Sequence, residues 1–275
     1  MALQIFPELD QGTEEWHDQR RGLVTASVVG KLLTVGSPGA LEYACPDCDA
    51  PALSPCISRS RKVPTPIKTL HDARISFAAE ASKDAPPVIE LASNDTSRAL
   101  TQTLIAERIT GWTEGTPMSS DMWRGVEHEP YARDIYSAHF HQAEEVGFML
   151  REEEGWTLGY SPDGLVGTDG LIEIKCPRAK THLNTILTDE VPGYYMPQLQ
   201  AGLLVSGRDW IDFVSFVAGM PLFRKRVEPD PDWFAAITAA CIAFEVTAAR
   251  TVADYRKRVA DMPKTERLNF DLQVA

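Results

Sequence analysis

The feature that most constrains the fold is the stretch after Gly147, where apolar and polar residues alternate with a period of two. Three segments in it, 147–151, 155–167 and 170–177, predict consecutive strands. The last two segments are joined across Gly167-Thr168-Asp169-Gly170, which is typical of a hairpin turn.

Helical periodicity surrounds this stretch, over about 95–109, 119–140, 178–187, 193–206 and 231–259. Two further strands are predicted at about 210–218 and 221–228. The order of helices, a strand cluster, helices, two strands and a helix predicts an α/β or α+β core and excludes a helical bundle or a sandwich.

The N-terminal part contains two predicted short helices and then an insertion. The helices fall within residues 13–33, the first beginning at Thr13 and the second N-capped by Thr25. From about Val35 to Asn94 the periodicity fades, and Pro and Ser accumulate. We therefore predict a core made of residues 1–36 and 93–275, with residues 37–92 inserted into it.

Charge and cysteine content limit the compartment and the partners. No apolar run reaches the roughly 18 residues of a membrane helix, and the first residues do not follow the pattern of a signal peptide. We expect neither secretion nor a membrane span, and the odd number of five cysteines favours a reducing cytoplasm. The net charge of -12 by itself argues against a nucleic-acid partner. A carboxylate metal site and a basic surface on one face are nevertheless compatible with that charge.

The segment 171–175 is the first candidate for chemistry. Side chains alternate along a strand, so Glu173 and Lys175 share one face. Asp163 lies ten residues earlier, on the segment paired through the hairpin. Carboxylate oxygens suit Mg²⁺, and a neighbouring ammonium could orient or activate a water molecule. An exposed hairpin with an ordinary ion pair has the same E-x-K pattern, so this pattern alone does not decide the function.

Four sequence blocks together carry more information than the E-x-K pattern. They resemble, in the same order, the blocks of the phage lambda exonuclease and YqaJ-type viral recombinase family of PD-(D/E)xK nucleases. The resemblance implies a restriction-endonuclease-like core, with a central mixed sheet flanked by helices. The blocks are W-x-x-x-R-x-G-x-V-T-A-S at 16–27, G-x-x-x-E-x-x-A at 125–132, SPDG followed by IEIKCP between 161 and 177, and Y-x-x-Q-x-Q at 195–200.

Carried over residue by residue, the resemblance implies a catalytic metal site. Asp163, Glu173 and the Ile174 carbonyl would hold Mg²⁺ or Mn²⁺, and Lys175 would position the attacking water. Glu129 matches the helical carboxylate that completes the site. Glu127 is a competitor in sequence, but two residues along a helix are about 200° apart, so both cannot face the metal. The spacing from Gly125 favours Glu129.

The resemblance also implies that Arg20, Ser27, Ser161 and Gln198 bind the 5′-phosphate of the digested strand. A guanidinium can hold phosphate oxygens bidentately, and Ser27 would lie in the first turn of a helix, whose free N–H groups favour an anion. Arg21 is adjacent, so the choice between the two arginines stays open. The alternative is that Ser27 and Thr25 only cap the helix and that Arg20 forms a surface ion pair.

A second candidate metal site lies in the insertion, where Cys45-x2-Cys48-x7-Cys56-x14-His71 has the ligand types of a structural Zn²⁺ site. The pattern also resembles short zinc-binding modules of actinobacterial and phage proteins. Three free thiols in a loop are the alternative. An iron–sulfur cluster is disfavoured, because only Cys241 follows the core at a distance, in an apolar helical segment.

The basic residues between 57 and 74 predict a contact with DNA; they are Arg59, Arg61, Lys62, Lys68 and Arg74.

The function that the resemblance implies is a Mg²⁺-dependent 5′-to-3′ exonuclease acting on double-stranded DNA ends. Its 3′ single-stranded tails would serve a single-strand annealing protein in phage-type recombination. A homotrimer and, for a phage-encoded protein, the host cytoplasm are also implied. Two alternatives stay open: a PD-(D/E)xK endonuclease or a nuclease of other polarity, and a catalytically silent zinc-containing DNA-binding protein.

Overall fold

The segments predicted as strands after Gly147 do form strands, but these belong to two separate sheets. The computed structural model describes residues 2–58, 63–83, 85–115 and 117–266. Its strands are β1 Ala2–Phe6, β2 Leu33–Gly36, β3 Ile57–Ser58, β4 Thr65–Pro66, β5 Val88–Leu91, β6 Ala143–Glu144, β7 Phe148–Glu153, β8 Trp156–Tyr160, β9 Gly164–Val166, β10 Gly170–Lys175, β11 Trp210–Ser215 and β12 Phe223–Val227. Its helices are α1 Glu14–Arg20, α2 Ala26–Val29, α3 Asp72–Ala81, α4 Asp95–Thr110, α5 Ser120–His139, α6 Ala179–Thr188, α7 Met196–Ser206 and α8 Pro231–Arg258.

The central sheet has five strands in the order β12-β11-β10-β9-β6. Strands β10 and β11 are parallel and the other neighbours are antiparallel, so the sheet is mixed. The predicted hairpin is confirmed, since Gly170 pairs with Val166 and Ile172 with Gly164.

The prediction of one strand over 155–167 is wrong. Strand β8 pairs with β7 in a three-stranded sheet with β1, whereas β9 pairs with β10 in the central sheet. Pro162 has no N–H to donate to a ladder, and it interrupts the strand. Residues 161–163 therefore cross from one sheet to the other.

Helices cover both faces of the central sheet, which confirms the predicted α/β class. Leu171 and Phe213 belong to the larger core cluster, together with residues of α7 and α8. Ile172 and Ile174 point the other way and pack with Ala132 of α5. Because side chains alternate along β10, Glu173 projects on the same face as Leu171.

The helix at Thr13 is confirmed, and the Thr13 side chain accepts a hydrogen bond from the Trp16 N–H. The helix predicted to follow Thr25 is shorter than expected. It is the four-residue α2, followed by one 3-10 turn at Gly30–Leu32 and then by β2. Leu33 pairs with Leu91 of β5, and this long-range pairing ends the helix. So short a helix contributes little dipole at Ser27.

Strands β2 and β5 are antiparallel neighbours, with Gly36 opposite Val88. The chain thus leaves the core along one strand and returns along the adjacent strand. The segment between them contains the three clustered cysteines, the short β3–β4 pair and α3. The boundary at 37–92 stays a prediction.

Within the described residues, α8 is the one helix long and apolar enough to cross a membrane by length and composition. Its buried residues, among them Trp233, Ile237 and Phe244, belong to the larger core cluster together with residues of the strands. We interpret α8 as a core helix.

Candidate active site and metal-binding cluster

One cleft of about 680 Å³ collects every residue for which the resemblance implied a role in catalysis or phosphate binding. Its walls are formed by α1, α5, the 161–163 crossing, the end of β10 and the start of α7. The expected residues that line it are Arg20, Ser27, Glu129, Ser161, Asp163, Glu173, Ile174, Lys175 and Gln198.

Asp163 and Glu173 lie at the buried base of this cleft, 8% and 1% exposed. The Ile174 N–H donates to Asp163 Oδ2 at 2.6 Å. The Tyr160 hydroxyl donates to Glu173 Oε2 at 3.0 Å, and Lys175 Nζ donates to Glu173 Oε1 at 2.7 Å. Asp163 is therefore held by the backbone of β10, and Glu173 by Tyr160 at the end of β8 and by Lys175 of its own strand.

The surroundings of Asp163 and Lys175 shift the pKa values of both groups. Burial, together with the charges of Glu173 and Glu129, raises the pKa of Asp163 well above its ordinary value. Burial by itself lowers the pKa of Lys175, but the charges of Glu173 and Asp163 outweigh burial and raise it. A hard divalent cation would relieve the repulsion between these carboxylates, so the donor set fits Mg²⁺.

Glu129 lies on α5, where Arg133 one turn later donates to its carboxylate. Burial raises the pKa of Glu129, although the charge of Arg133 acts in the opposite direction. Arg133 Nε also donates to the Asp163 carbonyl at 2.7 Å, which connects α5 to the crossing. Glu127 is exposed and does not line the cleft.

A second part of the cleft is a cation surrounded by hydroxyl groups. Arg20 donates to Ser161 Oγ at 3.2 Å and to Ser27 Oγ at 3.3 Å, and its guanidinium lies 3.9 Å from the ring centroid of Trp16. Burial lowers the pKa of Arg20 to about 10, so it keeps its charge at neutral pH. No carboxylate in the described part of the chain pairs with Arg20. A cation without a carboxylate partner, surrounded by hydroxyl groups, is suited to binding an anion.

The other side chains considered for this position have different contacts from those of Arg20. Arg21 points elsewhere and pairs with Asp18. Gln198 lies in the cleft, but its amide donates to Glu173 and not toward Arg20. The Thr25 hydroxyl makes no N-cap hydrogen bond and faces Arg20 and Ser27 instead.

Sequence reasoning missed three side chains that fix this geometry. The Trp16 indole donates to Ser161 Oγ at 3.0 Å, Tyr160 holds Glu173, and Arg133 links Glu129 to the crossing. Trp16 begins the first sequence block and could have been found there. Tyr160 reaches its position because Gly202 of α7 has no Cβ, which would lie 2.7 Å from the Tyr160 ring.

The cysteine cluster forms as its spacing predicted. One ligand atom from each of Cys45, Cys48, Cys56 and His71 lies within 4.8 Å of the others. The Cys45 Sγ to His71 Nδ1 distance is 3.5 Å, and all three cysteines are buried. Three sulfur atoms and one imidazole fit a tetrahedral Zn²⁺. Cys241 is buried in the core on α8, far along the chain from this cluster.

Arg74 does not belong to a basic surface, and the prediction that it helps to contact DNA is wrong. Its side chain is fully buried, and its guanidinium donates to backbone carbonyls of the module. Lys68 is exposed as expected. Arg59, Arg61 and Lys62 lie outside the described residues.

Comparison with known proteins gives two family matches and a structural match. Residues 81–209 match the family model of the YqaJ-like viral recombinase domain. Residues 11–90 match that of the "Putative DNA-binding phage zinc finger domain". No curated protein matches the chain.

The crystal structure of an alkaline exonuclease (LHK-Exo) from Laribacter hongkongensis superposes with a TM-score of 0.65 and 27% identity, covering 91% of this chain and all of that chain (100%). The structure of LHK-Exo in complex with dAMP gives a TM-score of 0.62 and 28% identity, with the same coverage of 91% and 100%. The architecture is thus similar to that of the alkaline exonuclease, and the matched parts of the chain are similar to a YqaJ-like viral recombinase domain and to a phage zinc-finger domain.

Proposed function

We propose that this protein is a Mg²⁺-dependent exonuclease that digests one strand of duplex DNA from a 5′-phosphorylated end and leaves a 3′ single-stranded tail. It is a nuclease of the phage type, with a YqaJ-like domain and similarity to an alkaline exonuclease over 91% of its length. The complex of that exonuclease with dAMP supports a deoxynucleotide as the occupant of the cleft.

The main support for the proposal is that residues 161–163 connect the candidate phosphate-binding site at Arg20 with the candidate metal site. Ser161 contacts the Arg20 cation, and Asp163, two residues later, lies beside Glu173. A terminal phosphate held at Arg20 would therefore lie next to a metal held by Asp163 and Glu173. The half-buried Arg20 cation, which no carboxylate of the described residues pairs, favours an exonuclease that holds a strand end over an endonuclease.

The chain's own residues suit phosphodiester hydrolysis. Bound Mg²⁺ supplies an acidified water and stabilises charge on the phosphate. Asp163, Glu173 and the Ile174 carbonyl would hold the ion, and Glu129 would complete its surroundings. Lys175 keeps its proton because its pKa is raised, so it acts as a cation that orients water and stabilises the phosphate. The Arg20 cluster would fix the end of the strand.

The remaining parts of the proposal concern assembly and place. Residues 1–36 and 93–275 form the nuclease core, and the module at 37–92 binds structural Zn²⁺ through Cys45, Cys48, Cys56 and His71. The module adds a second contact with duplex DNA. The tails pass to a single-strand annealing protein, and the enzyme acts as a homotrimer in the cytoplasm, that of the host if it is phage-encoded.

The test uses purified protein and linear duplexes with 5′-phosphate or 5′-hydroxyl ends, with and without Mg²⁺. We expect Mg²⁺-dependent release of nucleotides from the phosphorylated 5′ strand. Release from the 3′ end would assign the other polarity. Cleavage of closed circular duplex would identify an endonuclease, and DNA binding without cleavage in Mg²⁺ or Mn²⁺ would identify a catalytically silent protein.

A further inference from the structure

We infer that Arg74 is the positioning residue of the cysteine module: one buried guanidinium holds the loops that carry the metal ligands and offsets part of the negative charge of the occupied site. The inference rests on the Zn²⁺ site of the proposed function. It assigns a role to a residue that is neither a ligand nor a contact with DNA.

The first observation is the burial of a full positive charge without an acidic partner. Arg74 is 0% exposed, and it is the largest of the fully buried side chains of the described residues. Burying an isolated charge is costly, so such a cation requires compensation nearby. In the described part of the chain its hydrogen-bond partners are five backbone carbonyls and one sulfur atom, none of them a carboxylate.

The second observation is where these partners lie. Two groups of carbonyls, at 40–43 and 51–54, flank the turn that carries Cys45 and Cys48. The guanidinium therefore joins the two ends of this turn. The donor–acceptor distances are 2.9 Å to Ala40 O, 2.8 Å to Tyr43 O, 2.7 Å to Ser54 O, 3.0 Å to Leu41 O and 3.1 Å to Pro51 O.

The remaining two ligands are connected to the same side chain. Arg74 Nη1 donates to Cys56 Sγ at 3.5 Å. His71 is the N-cap residue of α3, and the Arg74 N–H donates to the His71 carbonyl at 2.9 Å in the first turn of that helix. Every ligand of the cluster is thus contacted by Arg74 or lies within three residues of Arg74 or of a residue that Arg74 contacts.

The charge of the occupied site gives the cation a second purpose. Three thiolates, a neutral imidazole and Zn²⁺ carry a net charge of -1, and Asp47, whose Oδ2 lies 3.3 Å from His71 Nδ1, adds a further negative charge; the Arg74 guanidinium offsets part of this total. Only arginine offers both the charge and a planar fork with five N–H donors. Lysine would keep the charge but would leave several buried carbonyls without a donor.

The experiment measures Zn²⁺ affinity of the full chain by competition with a chromophoric chelator, in wild type, Arg74→Met, Arg74→Lys and Lys68→Met. Lys68→Met is the matched control, since it removes an exposed positive charge from the same module. We expect Arg74→Met to bind Zn²⁺ about 10–100-fold more weakly than wild type, as is typical when a residue that orients metal ligands is lost. Arg74→Lys should fall between Arg74→Met and wild type, and Lys68→Met should match wild type.

A spectroscopic readout separates positioning from simple filling of space. With Co²⁺ in place of Zn²⁺, loss of the hydrogen bond to Cys56 raises the energy of the sulfur electrons. The sulfur-to-cobalt charge-transfer band should therefore move to lower energy in both Arg74 variants and stay unchanged in Lys68→Met.

The outcomes are distinct even if Arg74→Met does not fold. Wild-type affinity in Arg74→Lys would overturn the role of the fork, and equal loss in both Arg74 variants would overturn the role of the charge. Unchanged affinity and an unchanged cobalt band in both would overturn the inference while leaving the zinc site intact. Wild-type protein purified without chelator and free of zinc would overturn the zinc site itself and this inference with it, whereas cleavage of DNA in Mg²⁺ would still stand.

Discussion

In the cleft, Glu173 extends from β10 and Asp163 from the residue just before its paired strand β9, whereas Cys45, Cys48 and Cys56 extend from loops that one buried arginine connects. The two carboxylates are buried close together, and burial together with the charge of Glu173 raises the pKa of Asp163. A bound cation would reduce this repulsion. The sulfur atoms have only a small apolar cluster around them, so on the inference above Arg74 and a metal would fix their arrangement. The comparison suggests that a large folded core can hold two carboxylates close together without a metal, whereas a small module needs its charged groups to fold.

The largest effect that would test this difference is loss of catalysis without loss of fold. Asp163→Asn, Glu173→Gln and Lys175→Ala should each reduce Mg²⁺-dependent DNA hydrolysis by about 10³-fold, since each removes several kcal/mol of transition-state stabilisation. Initial rates on linear duplex DNA measure this loss, and circular dichroism checks the fold. Glu127→Gln is the matched control, because Glu127 is exposed on the same helix as Glu129. More than about a tenth of the wild-type rate in all three variants would contradict the assignment.

A smaller effect is expected at the Arg20 cluster. Wild type should digest a 5′-phosphorylated duplex about 10–100-fold faster than a 5′-hydroxyl duplex, because charge-assisted hydrogen bonds to phosphate contribute roughly 1.5–3 kcal/mol. Arg20→Ala should reduce this preference, and Arg21→Ala should retain it. Equal rates on both ends in wild type would refute a phosphate-binding role for Arg20.

The module should be separable from the core. Cys48→Ser should lose Zn²⁺ and expose residues 37–92 to proteolysis, since metal binding supplies most of the folding free energy of so small a unit. Limited proteolysis with mass spectrometry should show an intact nuclease core. If the module contacts DNA, duplex affinity should fall by several-fold and depend less on salt. Cleavage of the core at the same rate as the module would show that the two regions fold as one.

The smallest expected effect is a gain in stability. Because burial raises the pKa of Asp163, its ionised form is unfavourable in the metal-free fold. Protonation stabilises the fold below the unfolded pKa of about 4, and this contribution is lost as the pH rises toward the raised folded pKa. At pH 7 and without metal, Asp163→Asn should therefore melt at least about 2 °C above wild type. The difference should shrink as the pH approaches 4, and a lower Tm than wild type at pH 7 would contradict the proposed repulsion.

The sequence predicted the features that depend on local pattern. Alternation along 170–175 put Glu173 and Ile172 on opposite faces, and the structure places them so. The spacing of Cys45, Cys48, Cys56 and His71 predicted a cluster that the chain does form. The roles of the cleft residues remain predictions, although all of them line one cleft.

Features that depend on distant partners were not predictable in the same way. The helix after Thr25 is cut short by the pairing of Leu33 with Leu91, which local propensity does not reveal. Arg74 lies in a basic segment of the sequence, which predicts an exposed residue. Its burial becomes evident only from the backbone carbonyls that surround it in the structure. Pro162 was a visible signal of the break between β8 and β9, but the alternation on both sides masked it.

The crossing at 161–163 has one more consequence, which concerns the length of the product. The Cα atoms of residues two apart in the chain lie at most about 7 Å from each other, so Ser161 and Asp163 are necessarily close. Under the proposed function, a strand whose terminal phosphate lies beside Ser161 would bring its nearest phosphodiester bond to Asp163. We would then expect single nucleotides rather than short oligomers as products, because the two residues are too close in the chain to leave room for a longer spacer between phosphate and metal.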